Sequence, residues 1–116
     1  MTREDVVKLV NTYIAALKSG DYSSVPFAPT VSFFGPLHDA PLQGKDAVVA
    51  FLSEVSEGIK DVRINQYVID GTDVCIIIDF ETNAGAVLPI ADYIKIEAGQ
   101  IVHIRPFFDP SPLLAG

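Results

Sequence analysis

The hydrophobic period of the chain changes at Gly58, and that change constrains the fold more than any other feature. Before it, apolar residues recur every three or four positions; after it, they alternate. A helix returns a side chain to one face every 3.6 residues and a strand every second residue, so the chain specifies helices first and strands afterwards. Val6, Val10, Tyr13, Ile14 and Leu17 predict an amphipathic helix over 3–18, with Thr2 as N-cap, Glu4 and Asp5 at its positive end, and Gly20 as its stop. A second helix is expected over 45–57, with Ala47, Val48, Phe51, Leu52 and Val55 on one face. Between the two lie an irregular or helical turn over 21–27, a strand over 30–34, and a loop over 35–44 that contains two prolines. Strands are predicted over 61–69, 73–82, 86–97 and 100–108, joined at Asp70-Gly71, Asn83-Ala84-Gly85 and Ala98-Gly99 into an antiparallel meander. Only the tail from Pro110 to Gly116 lacks a pattern. This order of elements is α+β, and 116 residues suit a single domain over 1–116.

The partners are bounded by charge. A formal charge of −7 opposes phosphate backbones and anionic lipid, which reward clusters of Lys and Arg, so no nucleic acid and no membrane partner is expected. The longest purely apolar run, Val74 to Ile78, is too short to span a bilayer. Met1-Thr2-Arg3-Glu4-Asp5 does not read as a secretory signal, and the lone Cys75 allows no internal disulfide, so a cytoplasmic location is expected.

Alternation sorts the later strands into two faces. One is apolar: Val74, Ile76, Ile78 and Phe80, then Leu88, Ile90, Ile94 and Ile96, then Val102, Ile104, Pro106 and Phe108. Asp92 is its one charged residue. An ionised carboxylate among branched aliphatics loses several kcal/mol of hydration unless donors surround it, so Asp92 is expected to have a raised pKa or a dedicated partner. It is either a structural aspartate held by amides or a tyrosine, or a pocket acid. The other face is mixed, with Ile77, Tyr93 and Phe107 among Asp79, Lys95 and Arg105, and it predicts a homodimer that buries those aromatic and aliphatic groups.

Two stretches carry a resemblance: Tyr13-Ile-Ala-Ala-Leu-Lys-Ser-Gly-Asp21, and Pro89-Ile-Ala-Asp92-Tyr-Ile-Lys-Ile continuing through Gly99 to Ile104-Arg105. They are similar to the ketosteroid isomerases within the nuclear transport factor 2-like superfamily, which also holds the SnoaL-like proteins. The resemblance implies a curved antiparallel sheet wrapped over N-terminal helices, cone-shaped about an apolar pocket for a small hydrophobic molecule. It also implies that Tyr13 and Asp92 donate hydrogen bonds to a ligand oxygen, the acid staying protonated in an apolar site. Phe27, Phe33, Phe34, Phe51, Ile78, Phe80, Ile94, Ile104 and Phe108 would line or close that pocket. In the isomerases a carboxylate base follows a Thr-Val pair on the first strand; here Thr30-Val31-Ser32-Phe33-Phe34 puts Phe33 at that place, so isomerisation of a 3-oxo-Δ5-steroid is not expected. A shifted alignment would offer Asp39. His38 is either the base, on a loop that borders the pocket mouth in such folds, or a surface histidine. Tyr13 is equally a core residue on an apolar stripe, and His103 falls on the mixed face.

Other chemistries lack their residues. Two histidines separated by most of the chain give no metal-ligand spacing, no Gly-x-Ser-x-Gly elbow is present, and no glycine-rich loop follows a strand, so neither metal nor cofactor is expected. Two functions remain: a cofactor-free isomerase or cyclase-like enzyme acting on a hydrophobic carbonyl compound, and a non-catalytic ligand-binding or dimeric interaction domain that lacks the isomerase base.

Overall fold

Helix α1 runs from Arg3 to Ser19 in the computed structural model, which describes residues 1–114. Its start is locked by a reciprocal cap: Asp5 N–H donates to Thr2 Oγ1 at 3.1 Å, and Thr2 N–H donates to Asp5 Oδ2 at 2.9 Å. Its end is set by Gly20 at φ 80°, whose N–H donates to Ala16 O at 2.7 Å. The buried stripe includes Val6, Leu9, Val10, Tyr13, Ile14 and Leu17. Strand β1 (Phe27–Phe33) and the short β2 (Leu42–Gln43) precede helix α2 (Lys45–Glu57). Gly44, at the start of α2, donates to Val31 O at 2.8 Å and so fastens the helix to β1. The four remaining strands are β3 (Ile59–Asp70), β4 (Asp73–Thr82), β5 (Val87–Glu97) and β6 (Gln100–Phe107), followed by a single turn α3 (Ser111–Leu114).

These strands form one open, curved six-stranded sheet in the order β2-β1-β6-β5-β4-β3. The helices cover its concave side, with α1 against β3 and α2 against β1. Tyr67 of β3 donates to Asn11 of α1, and Tyr22 O–H lies 3.0 Å from Leu52 O and 2.6 Å from Ser56 Oγ on α2. No described helix is long and apolar enough to cross a membrane.

The fold class matches the expectation, and four details correct it. The meander β3 to β6 is antiparallel, but β1 pairs with β6 in parallel, through Phe27↔Ile101 and Phe33↔Ile104. That pairing joins strands far apart in sequence, where no turn signal can report direction. The expected loop over 35–44 contains β2, and the expected turn before residue 30 is already strand from Phe27. The β3–β4 turn is Gly71-Thr72, closed by Asp70↔Asp73, rather than Asp70-Gly71. Last, a bulge in β6 pairs Lys95 with His103 but Ile96 with Ile101, leaving Val102 as the extra residue. Ile101 is therefore fully buried and Val102 only half-buried, the reverse of strict alternation. The tail is a helical turn over 111–114; residues 115 and 116 lie outside the described part.

Candidate functional site

An apolar cavity of about 120 Å³ opens between the helices and the concave face of the sheet. Helix α1 supplies Tyr13 and Leu17, α2 supplies Phe51, Leu52 and Val55, and the sheet supplies Phe33, Ile78, Phe80, Leu88, Ile90, Asp92 and Pro106. The loop from Gly35 to His38 and the C-terminal residues Phe108 and Leu113 close the remaining side. Leu37 and Leu113 are 50% and 42% exposed while also facing the cavity, so they stand at its mouth.

Asp92 is the buried charged residue of the described core, only 4% exposed. Its position follows from the pleat: Ile90 and Ile94 flank it on the same face, and its cross-strand partners are Ile76 and Pro106. None of these side chains offers a donor. Burial alone pushes its carboxyl up to about 7, and its Oδ1 has no hydrogen-bond partner among the described residues. Near neutral pH a large share of Asp92 is therefore a neutral acid able to donate. Tyr13, held edge-on against Phe27 at 6.5 Å, has its phenol raised well above the ordinary value, first by burial and then by the neighbouring Asp92 charge. No hydrogen bond joins Tyr13 to Asp92 among the described residues, so the pairing that would make Asp92 a purely structural group is not formed.

His38 is no open surface residue. Its backbone N–H donates to Gly35 O at 3.1 Å, and its ring stands edge-on to Phe51 at 4.7 Å and to Phe33 at 5.8 Å. Its Nδ1 is buried without a partner among the described residues. Gly35 leaves room for this packing, since a Cβ there would sit 3.1 Å from Phe33 Cε1 and 3.6 Å from both His38 Nδ1 and Pro106 Cγ.

The structure thus places Tyr13, Asp92, His38, Phe33, Phe51, Ile78, Phe80 and Phe108 around one cavity. It does not place Phe27, Ile94 or Ile104 there: Phe27 backs Tyr13 and Tyr22, and both isoleucines are fully buried in the solid core. Strand parity puts Ile94 and Ile104 on the correct face, but it does not say how far along the strand the cavity reaches. Phe34 turns to the opposite face and stacks on Arg105, and Asp39 is exposed and outside the cavity wall. Wall residues absent from the sequence expectation include Leu17, Leu52, Val55, Leu88, Ile90 and Pro106. Their apolar periodicity was visible, yet it marks core and cavity alike.

On the opposite, convex face, Ser32 Oγ and His103 Nδ1 lie 2.6 Å apart. Asp73 accepts from Tyr93 O–H at 2.6 Å and pairs with Lys95 at 3.1 Å. Burial and the Arg105 charge lower the His103 pKa.

Comparison with known proteins places this architecture. A family model described as a domain of unknown function (DUF4904) matches residues 1–116. No curated protein matches the sequence. Among solved structures, a nuclear transport factor 2-like protein of unknown function from Cytophaga hutchinsonii superposes with a TM-score of 0.80 at 23% identity, covering 94% of both chains. A protein from Shewanella denitrificans, described as a SnoaL-like polyketide cyclase, gives 0.82 at 19% identity, covering 97% of this chain and 96% of the other. A protein with a ketosteroid isomerase-like fold from Catenulispora acidiphila, in complex with trimethylamine, gives 0.79 at 16% identity over 93% and 90% of the two chains. The fold is therefore nuclear transport factor 2-like, as the two sequence stretches suggested.

Proposed function

The chain belongs to this family of domains of unknown function, and from its site we propose that it binds a small hydrophobic carbonyl compound. On this reading it acts as a cofactor-free isomerase or cyclase-like enzyme, with Asp92 and Tyr13 polarising the carbonyl oxygen. The observation that carries the reading is the unpartnered Asp92 carboxyl in an apolar wall, with its pKa pushed up to about 7. A carbonyl oxygen accepts from such an acid without bringing a second charge into the cavity, which an amine or a carboxylate ligand would do. The size favours a compact molecule. A cavity of about 150 Å³ holds benzene, so about 120 Å³ suits a single ring rather than a steroid. The aromatic rings of Phe33, Phe51, Phe80 and Phe108 in the wall suit that choice.

A second reading, ligand binding without chemistry, is supported by Phe33. It stands where the isomerases carry their base, and it can move no proton. Both readings share the binding step, which two ligands of one shape can test. Cyclohexanone is expected to bind about two- to tenfold more tightly than methylenecyclohexane, since a neutral hydrogen bond formed in exchange for one to water is worth about 0.5–1.5 kcal/mol. Asp92→Leu should erase that preference while keeping the fold. Equal affinity for the two ligands in the wild type, followed by nuclear magnetic resonance titration, would remove the carbonyl from the reading.

A further inference from the structure

The mouth of the cavity has two unlike sides, marked by Leu37 and Leu113. Leu37 belongs to the loop from Gly35 to His38, which is fastened at both ends. Phe34 N–H donates to Ile104 O at 3.0 Å on one side, and on the other the His38 ring packs edge-on against Phe51 at 4.7 Å and Phe33 at 5.8 Å. Leu113 belongs to the turn α3. Among the described residues, no hydrogen bond or ion pair ties residues 109–113 to the rest of the molecule.

The sequence of the turn explains this isolation. Pro110 and Pro112 have no N–H to offer. The other donors stay inside the turn: Ser111 N–H and O–H both donate to Asp109 Oδ1, at 3.0 and 2.6 Å, and Leu113 N–H donates to Pro110 O at 2.9 Å. These bonds, with two proline φ angles fixed by their rings, make the turn a stiff unit that moves as one piece. It follows β6 closely, since the strand ends at Phe107 and Phe108 is already in the cavity wall. Ser111 and Pro112 are exposed, so Leu113 is the residue of 111–113 that returns to the wall, and it is still 42% exposed.

We propose that residues 109–114 are a lid that swings about the Phe108-Asp109 junction to admit a compact apolar ring, with Leu113 as its latch and Leu37 as the fixed rim. The proposal rests on the reading of the cavity as a ligand site, and it does not require the carbonyl. One half-buried leucine is a weak latch, so the open state is populated on the order of a few per cent. Closure keeps water from the apolar wall, and opening lets a ligand pass without disturbing the sheet or the helices. The lid carries no hydrogen bond to the body that must break when it moves.

The test combines methyl relaxation dispersion of the ligand-free protein with the exchange rates of benzene, which fills the cavity without a hydrogen bond. Lids move in microseconds to milliseconds, so the Leu113 methyls should show dispersion on that scale while the Leu37 methyls stay flat. Leu113→Ala should speed benzene entry and exit together by about fivefold, and Leu113→Asp by about tenfold or more, because half of a leucine's burial is lost from the closed state alone. Both rates rise together, so affinity changes less than either rate, and the urea midpoint stays at the wild-type value. Flat dispersion at Leu113, equal dispersion at Leu37, or benzene rates unchanged in both variants would overturn the lid and leave the cavity as a binding site. A wild type that takes up no benzene would also overturn the lid, whereas the carbonyl reading stands or falls on cyclohexanone.

Discussion

Burial of Asp92 ties its protonation to the folding of the chain. Its carboxyl moves from an ordinary 3.8 to about 7, so between those values the folded state keeps a proton that the unfolded state has released. Stability from this group is present in full below the unfolded value, falls as pH rises through the window at up to about 1.4 kcal/mol per pH unit, and levels off above the folded value. Urea unfolding of the wild type from pH 4 to 8 should show that fall, and Asp92→Asn should flatten it. Parallel profiles for the two proteins would mean that the buried carboxyl titrates normally. The residue was legible in the sequence as the lone acid on an apolar face. What the sequence left open was whether Tyr13 satisfies it, and that depends on the seating of α1 over the sheet.

Among the elements, β6 shows how one inserted residue changes the meaning of a pattern. Alternation assigned Val102 to the core, but the bulge between the Lys95 and Ile96 pairings sends Ile101 inward instead. Ile101 and Ile104 are fully buried, whereas Val102 is only half-buried. Ile101→Ala should therefore cost about 2–5 kcal/mol by chemical denaturation, and Val102→Ala no more than about 1 kcal/mol. Similar losses at the two sites would place the bulge elsewhere. The same bulge preserves the site, because beyond it Ile104 and Pro106 keep the inward phase that sets Pro106 beside Asp92. Helix α1, by contrast, was readable to within a residue, since Thr2, Asp5 and Gly20 fix both of its ends by local contacts.

For the whole molecule, the convex face of the sheet carries the expectation of a homodimer. Phe107 is 52% exposed, and Arg105 lies between the Phe34 and Phe107 rings at 5.0 and 5.2 Å. Among the described residues Arg105 has no carboxylate partner, while Asp79 accepts from Asn65 and has no cation. A two-fold contact matches one residue with another and that other with the first, so Arg105 of each copy can meet Asp79 of its mate. A standard interface of about 800 Å² per partner would take roughly an eighth of the 6237 Å² surface. Sedimentation at tens of micromolar is expected to give a dimer, Arg105→Asp a monomer, and Arg105→Asp with Asp79→Arg a dimer again. A wild type that stays monomeric would sink the assembly.

Sequence alone settles what short-range physics can write: the two helices, both caps of α1, the stop of α2 at Gly58, the hairpin at Ala98-Gly99, and the isolation of Asp92 on an apolar face. Each is decided by neighbours within a few residues, through side-chain period, cap chemistry or a positive φ. Long-range packing alone sets the parallel union of β1 with β6, the exclusion of Phe27, Ile94 and Ile104 from the cavity, and the turning of His38 inward between Phe33 and Phe51. Those depend on contacts between segments far apart in the chain, and an apolar residue looks the same in sequence whether it faces a packed neighbour or an empty space.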